Sequence, residues 1–465
     1  MKIVILGAGP TGLGAAWRLQ ELGHKDWEIL DLSPSPGGLS RSFVDDKGFT
    51  WDIGGHVQFS HYEYFDRVMD ILFAPEEWQI HQREAWVWMR DRFIPYPLQN
   101  NLWQLPMEEV EKCLLTLPRE GSRLPKASSF RQWILATFGE GLAESFFFPY
   151  NAKVWGYPPE VLSAEWVGDR VSVPDFARVL HHLLHRKPDV SWGPNRTFRY
   201  PVHGGTGEIW RRCAAQLPRE QLVLSCPETS VLLDAHVLFS KDDRFWAYDA
   251  LINTVPLDMF VKAAGGIAGT VDLSAMAREL GYSSSNIVGI GLRGSPPPEL
   301  VSKCWMYFPE DKYPFYRVTV FSNYAKTNAP EGHWSLIAEV SESSFRPVNQ
   351  ANLLERVITG LVEAGLVKDW TDVVSTWRFR AEHGYPTPVL FREELLGLLL
   401  PILESYDVYS RGRFGAWRYE VSNQDHAFMQ GVEAADRLVL GREEMTYCYP
   451  NTANSRWQGL ERQQL

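Results

Sequence analysis

The residues best suited to chemistry stand at the start of the chain. Gly7-x-Gly9-x-x-Gly12-x-x-x-Ala16 follows a short apolar run, Lys2 to Leu6, and opens a stretch with Ala15, Leu19 and Leu22 at helical spacing. Gly7 suits a tight turn, Gly9 lets a pyrophosphate approach the backbone, and Gly12 lets helix and strand pack closely. The helix N-terminus would aim free N–H groups and the positive end of its dipole at the phosphates. Asp31 lies 19 residues after Gly12, in a second apolar run from Trp27 to Leu32, where a carboxylate can accept both hydroxyls of an adenosine ribose. Strand, helix and acid in register predict dinucleotide binding. Two more glycine pairs follow in Pro36-Gly37-Gly38-Leu39-Ser40 and in WDIGGH, Trp51 to His56. Strand-like runs at 222–224, 237–239 and 250–256 look like the returning part of the same nucleotide unit. That interrupted layout favours FAD, lying extended across its domain, over NAD.

Metal chemistry is not expected. His181 and His185 share a helix face at i, i+4, but no Glu stands where a zincin needs one and no third ligand is near. His203 and His383 are isolated. The five cysteines, Cys113, Cys213, Cys226, Cys304 and Cys448, form no CxxC pair and read as buried thiols of a reducing compartment.

The elements that must position these residues are those of a globular α/β protein. At about 150 residues per domain, 465 residues suggest three structural units. The net charge of −11 argues against nucleic-acid or anionic-membrane partners, which select clustered Lys and Arg. The N-terminal apolar run is too short for a signal peptide, and the greasy stretch Leu395 to Leu403 is broken by Gly397 and Pro401 and too short to span a bilayer. The expectation is a cytoplasmic protein without membrane insertion. Aromatic residues make up 13%, with 19 Trp, 18 Tyr and 24 Phe, which suggests a cleft lined with rings.

Residues 60–190 read as mainly helical, with Tyr64 to Leu72 and Phe130 to Phe138 at three- and four-residue spacing and Asp175 as a cap. From 285 to 385 the period changes to strand-like runs at 286–292, 304–308, 316–321, 335–340 and 373–380, with one helix from Asn352 to Ala364. After 405, Gly412, Gly415 and an N-cap-like Asn423-Gln424-Asp425 precede a final helix. The expected fold is a Rossmann-like FAD-binding domain of the glutathione-reductase or amine-oxidase type (1–60, 196–285 and 405–465). It carries a helical substrate-binding insertion (61–195) and a mixed-sheet substrate domain (286–404).

Longer motifs identify a family. WDIGGHVQFSHYEYFD from Trp51, IPYPLQNN, PYNAKVW, WVGDRV, WGPNRTFRYPVHGGTGEIW, CWMYFPED, PFYRVTVFSNY, HGYPTP and RGRFGAWRYEVSNQDHAFM follow one another over nearly the whole chain. Together they resemble UDP-galactopyranose mutase, in its longer, eukaryotic-type branch. The resemblance implies a redox-neutral isomerisation on a redox cofactor. N5 of reduced FAD attacks the anomeric carbon of UDP-galactopyranose, UDP leaves, the sugar ring reopens and contracts, and UDP returns to give UDP-galactofuranose. NADPH or another reductant would activate the flavin.

The resemblance implies catalytic roles for His56, Arg170 and Arg317, the two arginines being suited to hold a diphosphate that must leave and return. Tyr307, Tyr385 and Tyr419 match phosphate-contacting tyrosines, and Tyr96, Gln99, Asn151 and Trp155 would hold the uridine. Asn195 matches a residue of a mobile flap. On the cofactor side the matching positions are Gly7, Gly9, Thr11, Gly12, Asp31, Gly38, Leu39 and Ser40. Gly54, Gly55, His56, Val231, Arg413, Asn423 and Gln424 complete that set. The family pattern is departed from at Ala152, Gln58 and Trp88. The partner implied is a small nucleotide sugar, and an oligomer is compatible with it. Two alternatives to the mutase on UDP-galactose are the same chemistry on another nucleotide sugar and an amine-oxidase-like FAD oxidoreductase.

Overall fold

The computed structural model describes residues 1–118, 129–190, 196–266 and 272–455. Short apolar runs that are buried on both faces become a parallel sheet, as their near-continuous hydrophobicity requires. Its order is Val408–Ser410, Ala250–Asn253, Ile3–Leu6, Trp27–Leu30 and Leu222–Val223, all parallel. Helix Pro10–Glu21 follows the first strand and packs against helix Gln424–Leu440. A small four-stranded sheet (Phe245–Ala247, Val237–Ser240, Thr229–Leu232, Ala264–Gly265) flanks this unit.

The second large sheet has seven strands in the order Val373–Pro386, Tyr282–Arg293, His333–Glu342, Arg317–Val320, Trp305–Tyr307, Ala85–Met89 and Arg92–Pro95. It is mixed, because Trp305–Tyr307 pairs in parallel with Ala85–Met89 while its other pairs are antiparallel. Two glycines in the long strand are there for packing. A Cβ on Gly289 would lie 2.5 Å from the Trp51 ring, and one on Gly291 2.6 Å from Phe49. The ribbon Ser42–Val44/Thr50–Asp52 therefore lies flat on this sheet and delivers Gly54 and Gly55 to its inner strands, beside Glu339 and Thr319.

Three expectations are corrected here. The segment 61–195 is not simply helical, since Trp78–Gln82, Ala85–Met89 and Arg92–Pro95 are strands. Ala-Trp-Val-Trp-Met alternates buried and half-buried positions with period two, and its rings suit a pleated surface. The apolar run 395–403 lies in helix Arg392–Glu404, whose Leu396, Leu399, Leu400 and Leu403 pack with Val4, Leu6 and Val408 in the nucleotide unit rather than with the mixed sheet. The helices expected at 64–72, 130–138, 176–184 and 352–364 form at Glu63–Leu72, Phe130–Leu142, Phe176–His185 and Leu353–Glu363. Asp175 caps its helix by accepting from the Arg178 N–H at 2.7 Å. Four cysteines are buried but Cys448 is exposed. Among the described residues no helix is long and apolar enough to cross a membrane.

Candidate active site

The glycine turn has the shape its sequence requires. Gly7 has φ 100°, and a Cβ on Gly12 would collide with the Gly7 carbonyl oxygen, so both positions demand glycine. Gly9 differs, because a Cβ there would have no neighbour nearer than Gly38 Cα at 3.8 Å. The open side of Gly9 thus faces the second glycine turn, Gly38–Ser40, and leaves a backbone-lined groove of the kind a pyrophosphate occupies. Asp31 stands just past its strand, and its carboxylate accepts the Ala8 N–H at 2.6 Å and the Ser33 N–H at 2.7 Å. Each oxygen keeps a lone pair for a ribose hydroxyl. Burial raises the Asp31 carboxyl above its ordinary value, against the pull of those two N–H groups and of Arg41.

Thr11 is buried in the first turn of the helix, Leu39 packs between two core clusters and Ser40 is buried beneath the second glycine turn. Val231 is buried in Thr229–Leu232 of the small sheet. At the opposite end, exposed Asn423 is the N-cap of Gln424–Leu440 and makes no capping bond, which leaves the first N–H groups of that helix available. Gln424 accepts from the Trp210 indole at 2.7 Å.

Arg413 is the strongest sign of an anionic ligand. It is half-buried and, among the described residues, donates only to the Gly384 carbonyl (3.0 and 3.2 Å) and to the Ser422 hydroxyl and carbonyl (2.8 and 3.3 Å). No carboxylate among the described residues pairs with it, and burial lowers its pKa. A half-buried cation held only by neutral acceptors is stabilised when an anion arrives. The open groove at Gly9 and this unpaired guanidinium both fit FAD.

His56 is half-buried, and its shielded Nδ1 lacks a hydrogen-bond partner among the described residues. Burial, helped by Arg413 and Arg317 and opposed by Glu339, lowers its pKa to about 4, so it is neutral at physiological pH. Its loop is held at both ends. The Gly55 N–H donates to Glu339 at 3.1 Å, and His61 donates to Asp425 through its backbone N–H at 2.9 Å and pairs with it through Nδ1 at 2.7 Å. His61, Asp425 and His426 form a fully buried cluster whose potential ligand atoms lie within 4.8 Å of one another.

The rings gather where the sequence suggested a cleft. Tyr96 and Tyr150 each meet Tyr307 edge-on with centroids 5.2 Å apart, and Trp155 packs against Tyr385 at 6.1 Å and Tyr419 at 4.8 Å. Burial raises the pKa values of Tyr307 and Tyr419, which keeps both phenols protonated as neutral donors. Arg413, Arg170 and Arg317 all lower the Tyr419 pKa electrostatically, against the larger effect of burial, and the Arg413 guanidinium lies over the Tyr385 ring at 4.9 Å. Arg317 is held by a two-pronged ion pair to Glu339 at 2.7 and 2.8 Å. Arg170 donates to the Glu420 carbonyl and to Asn454 Oδ1.

The amides assigned to uridine are partly occupied. Gln99 gives its N–H to the Ser172 carbonyl at 2.6 Å and leaves Oε1 buried without a partner among the described residues. Asn151 gives its N–H to the Phe147 carbonyl at 2.8 Å. Asn195 lies outside the described residues. His383 pairs with Asp258 at 2.9 Å, and His181 and His185 are exposed. Sequence reasoning missed Glu339, Tyr150, Tyr316 and Asn454; only Glu339, an acid within the apolar run Leu336 to Val340, carries a signal that could have been read.

The flavin-containing amine oxidoreductase family matches residues 10–439. A crystal structure of reduced UDP-galactopyranose mutase is 48% identical over 98% of this chain and 97% of that one, with a TM-score of 0.94. A putative protoporphyrinogen oxidase from Exiguobacterium sp. 255-15 (16% identity, 95% of this chain and 99% of that one, TM-score 0.71) shares the fold. So does a putrescine oxidase bound to putrescine (15% identity, 95% and 99%, TM-score 0.63). On these matches, the chain belongs to the flavin-containing amine oxidoreductases and, within them, to the UDP-galactopyranose mutases.

Proposed function

We propose that the protein is an FAD-dependent isomerase that interconverts UDP-galactopyranose and UDP-galactofuranose, working on the reduced cofactor. The 48% identity to reduced UDP-galactopyranose mutase over 98% of the chain carries this reading, and Arg170, Arg317 and Arg413, which all act on the Tyr419 phenol, supply the positive charge a diphosphate needs. When bound, reduced FAD supplies the nucleophile that displaces UDP from the anomeric carbon.

The chain's own residues do the rest. Gly9 and Gly38 hold the cofactor's pyrophosphate, Arg413 contacts the cofactor on the side of the Tyr385 ring, and neutral His56 lies in the loop beside its flavin end. Arg317 and Arg170 take the diphosphate, whose negative charge grows as the glycosidic bond breaks. Tyr307, Tyr385 and Tyr419 add hydrogen bonds without adding cations, so UDP is retained yet remains able to return. The unpaired Gln99 oxygen suits the uracil N3–H, Tyr96 borders the base, and Trp155, buried among Trp166, Tyr385 and Tyr419, backs the rings that hold it. The ring cluster of Tyr96, Tyr150, Tyr307, Trp155 and Tyr419 would keep water from competing for the anomeric carbon.

The test is to reduce the purified, FAD-loaded protein with dithionite, supply either ring form of UDP-galactose and separate the products by chromatography. Interconversion that requires reduction is expected. Its absence from folded, flavin-loaded, reduced protein would overturn the reading.

A further inference from the structure

We infer that Glu339 is a positioning residue that links the diphosphate site to the cofactor side, so that UDP binding and flavin redox state bias each other. The inference rests on the mutase reading and extends it. Glu339 sits in the central strand His333–Glu342 with its side chain 3% exposed. Each oxygen of its carboxylate serves two donors. Oε1 accepts from Arg317 Nε at 2.7 Å and from the Gly55 N–H at 3.1 Å. Oε2 accepts from Arg317 Nη2 at 2.8 Å and from the Tyr316 hydroxyl at 2.8 Å. One oxygen is therefore shared between the guanidinium assigned to the diphosphate and the backbone of the loop leading into His56.

The surroundings make that shared oxygen responsive. No water buffers a buried carboxylate, and in a low-dielectric interior each bond polarises the others. Burial pushes the Glu339 carboxyl up, but Arg317 beside it outweighs that and holds it below the usual range, so the group is a full anion balanced between its donors. Gly54, at φ 93°, and Gly55 are held against this carboxylate and the next strand. A Cβ on Gly55 would lie 2.7 Å from Thr319 Oγ1 and 3.6 Å from the Tyr324 hydroxyl. Both hydroxyls are buried without a hydrogen-bond partner among the described residues, so the loop has alternative acceptors within reach. Reduction changes the charge and the hydrogen bonding that the cofactor presents to its loop, whereas a bound diphosphate draws Arg317 towards itself. Both changes act on Glu339, and such a coupling is reciprocal by thermodynamic necessity.

The measurement is the dissociation constant of UDP by calorimetry, taken for oxidised and for dithionite-reduced protein. In the unmodified enzyme the two constants should differ by at least about fivefold. Glu339→Gln, which removes the charge, and Glu339→Asp, too short to reach both Arg317 and Gly55, should each bring the ratio close to one while flavin content holds. Tyr316→Phe removes a donor but leaves both links, and should keep the ratio. If Glu339→Gln fails to load FAD, the comparison of Glu339→Asp with Tyr316→Phe decides. Equal affinities in the two redox states of the unmodified enzyme, or an unchanged ratio in the Glu339 variants, overturns the coupling. Failure of the unmodified enzyme to bind UDP in either state overturns the mutase reading instead.

Discussion

Replacing Gly9 by alanine separates the needs of the fold from those of the cofactor. Gly9 adopts φ −79° and ψ −177°, a conformation alanine takes without strain, and an added Cβ finds nothing nearer than 3.8 Å. The folded apoprotein should lose nothing and, through the stiffer unfolded chain, gain about 0.4–1 kcal/mol. The methyl group would fill the groove between the two glycine turns that a pyrophosphate needs. Forcing a methyl into a filled contact costs about 1–3 kcal/mol, which weakens FAD binding about 5- to 150-fold. Gly12→Ala, whose Cβ would collide with the Gly7 carbonyl, should not fold. The assay compares the 450-to-280 nm absorbance ratio after dilution and ultrafiltration, the FAD dissociation constant of stripped protein, and the melting temperature of that apoprotein. A Gly9→Ala protein that holds FAD as tightly as the unmodified one, or whose apoprotein is unfolded, would refute the assignment of this groove.

Arg317→Ala should abolish turnover while FAD stays bound, and should destabilise the protein by about 3–5 kcal/mol because Glu339 is left buried and unpaired. Denaturant titration should show most of that loss recovered in the Arg317→Ala/Glu339→Gln double variant, and shrinking in the single variant as pH falls and Glu339 takes a proton. His56 has a folded pKa near 4 against 6.5 for a free histidine, so between those values the unfolded chain binds the proton more readily. Stability on its account is complete above pH 6.5 and declines towards pH 4, by at most about 3 kcal/mol; a melting series should show His56→Gln losing part of this acid sensitivity. Of the five thiols only Cys448 is exposed, so a colorimetric thiol reagent should modify one group in the native protein and five after denaturation.

What the sequence disclosed was local. Gly7, Gly9, Gly12 and Asp31 declare themselves because each answers to a backbone shape or a ligand within one turn of chain. Apolar runs buried on both faces marked the parallel strands for the same reason. The strand Ala85–Met89 was hidden, because its partner Trp305–Tyr307 lies more than two hundred residues away and nothing in AWVWM names it. The leucines of Arg392–Glu404 show that a helix is buried but not against which sheet. At the site, sequence supplies residue types and not their partners. Gln99 and Asn151 were readable as amides, but not as amides that already give their N–H groups to Ser172 and Phe147. Glu339 owes its place to contacts with residues 22, 23 and 284 positions away, beyond any periodic pattern.

The pairing order of the parallel sheet also sets a timetable. Ile3–Leu6 must wait for Ala250–Asn253, that strand waits for Val408–Ser410, and helix Pro10–Glu21 waits for Gln424–Leu440. The two helices meet backbone to backbone, since a Cβ on Gly14 would strike the Phe428 carbonyl and one on Gly431 the Thr11 carbonyl. At about 5–20 residues per second, helix Pro10–Glu21 of a nascent chain spends on the order of 20–80 seconds without its final neighbour. The glycine turn that is made first is thus enclosed last, and flavin capture reports that almost the entire chain has left the ribosome.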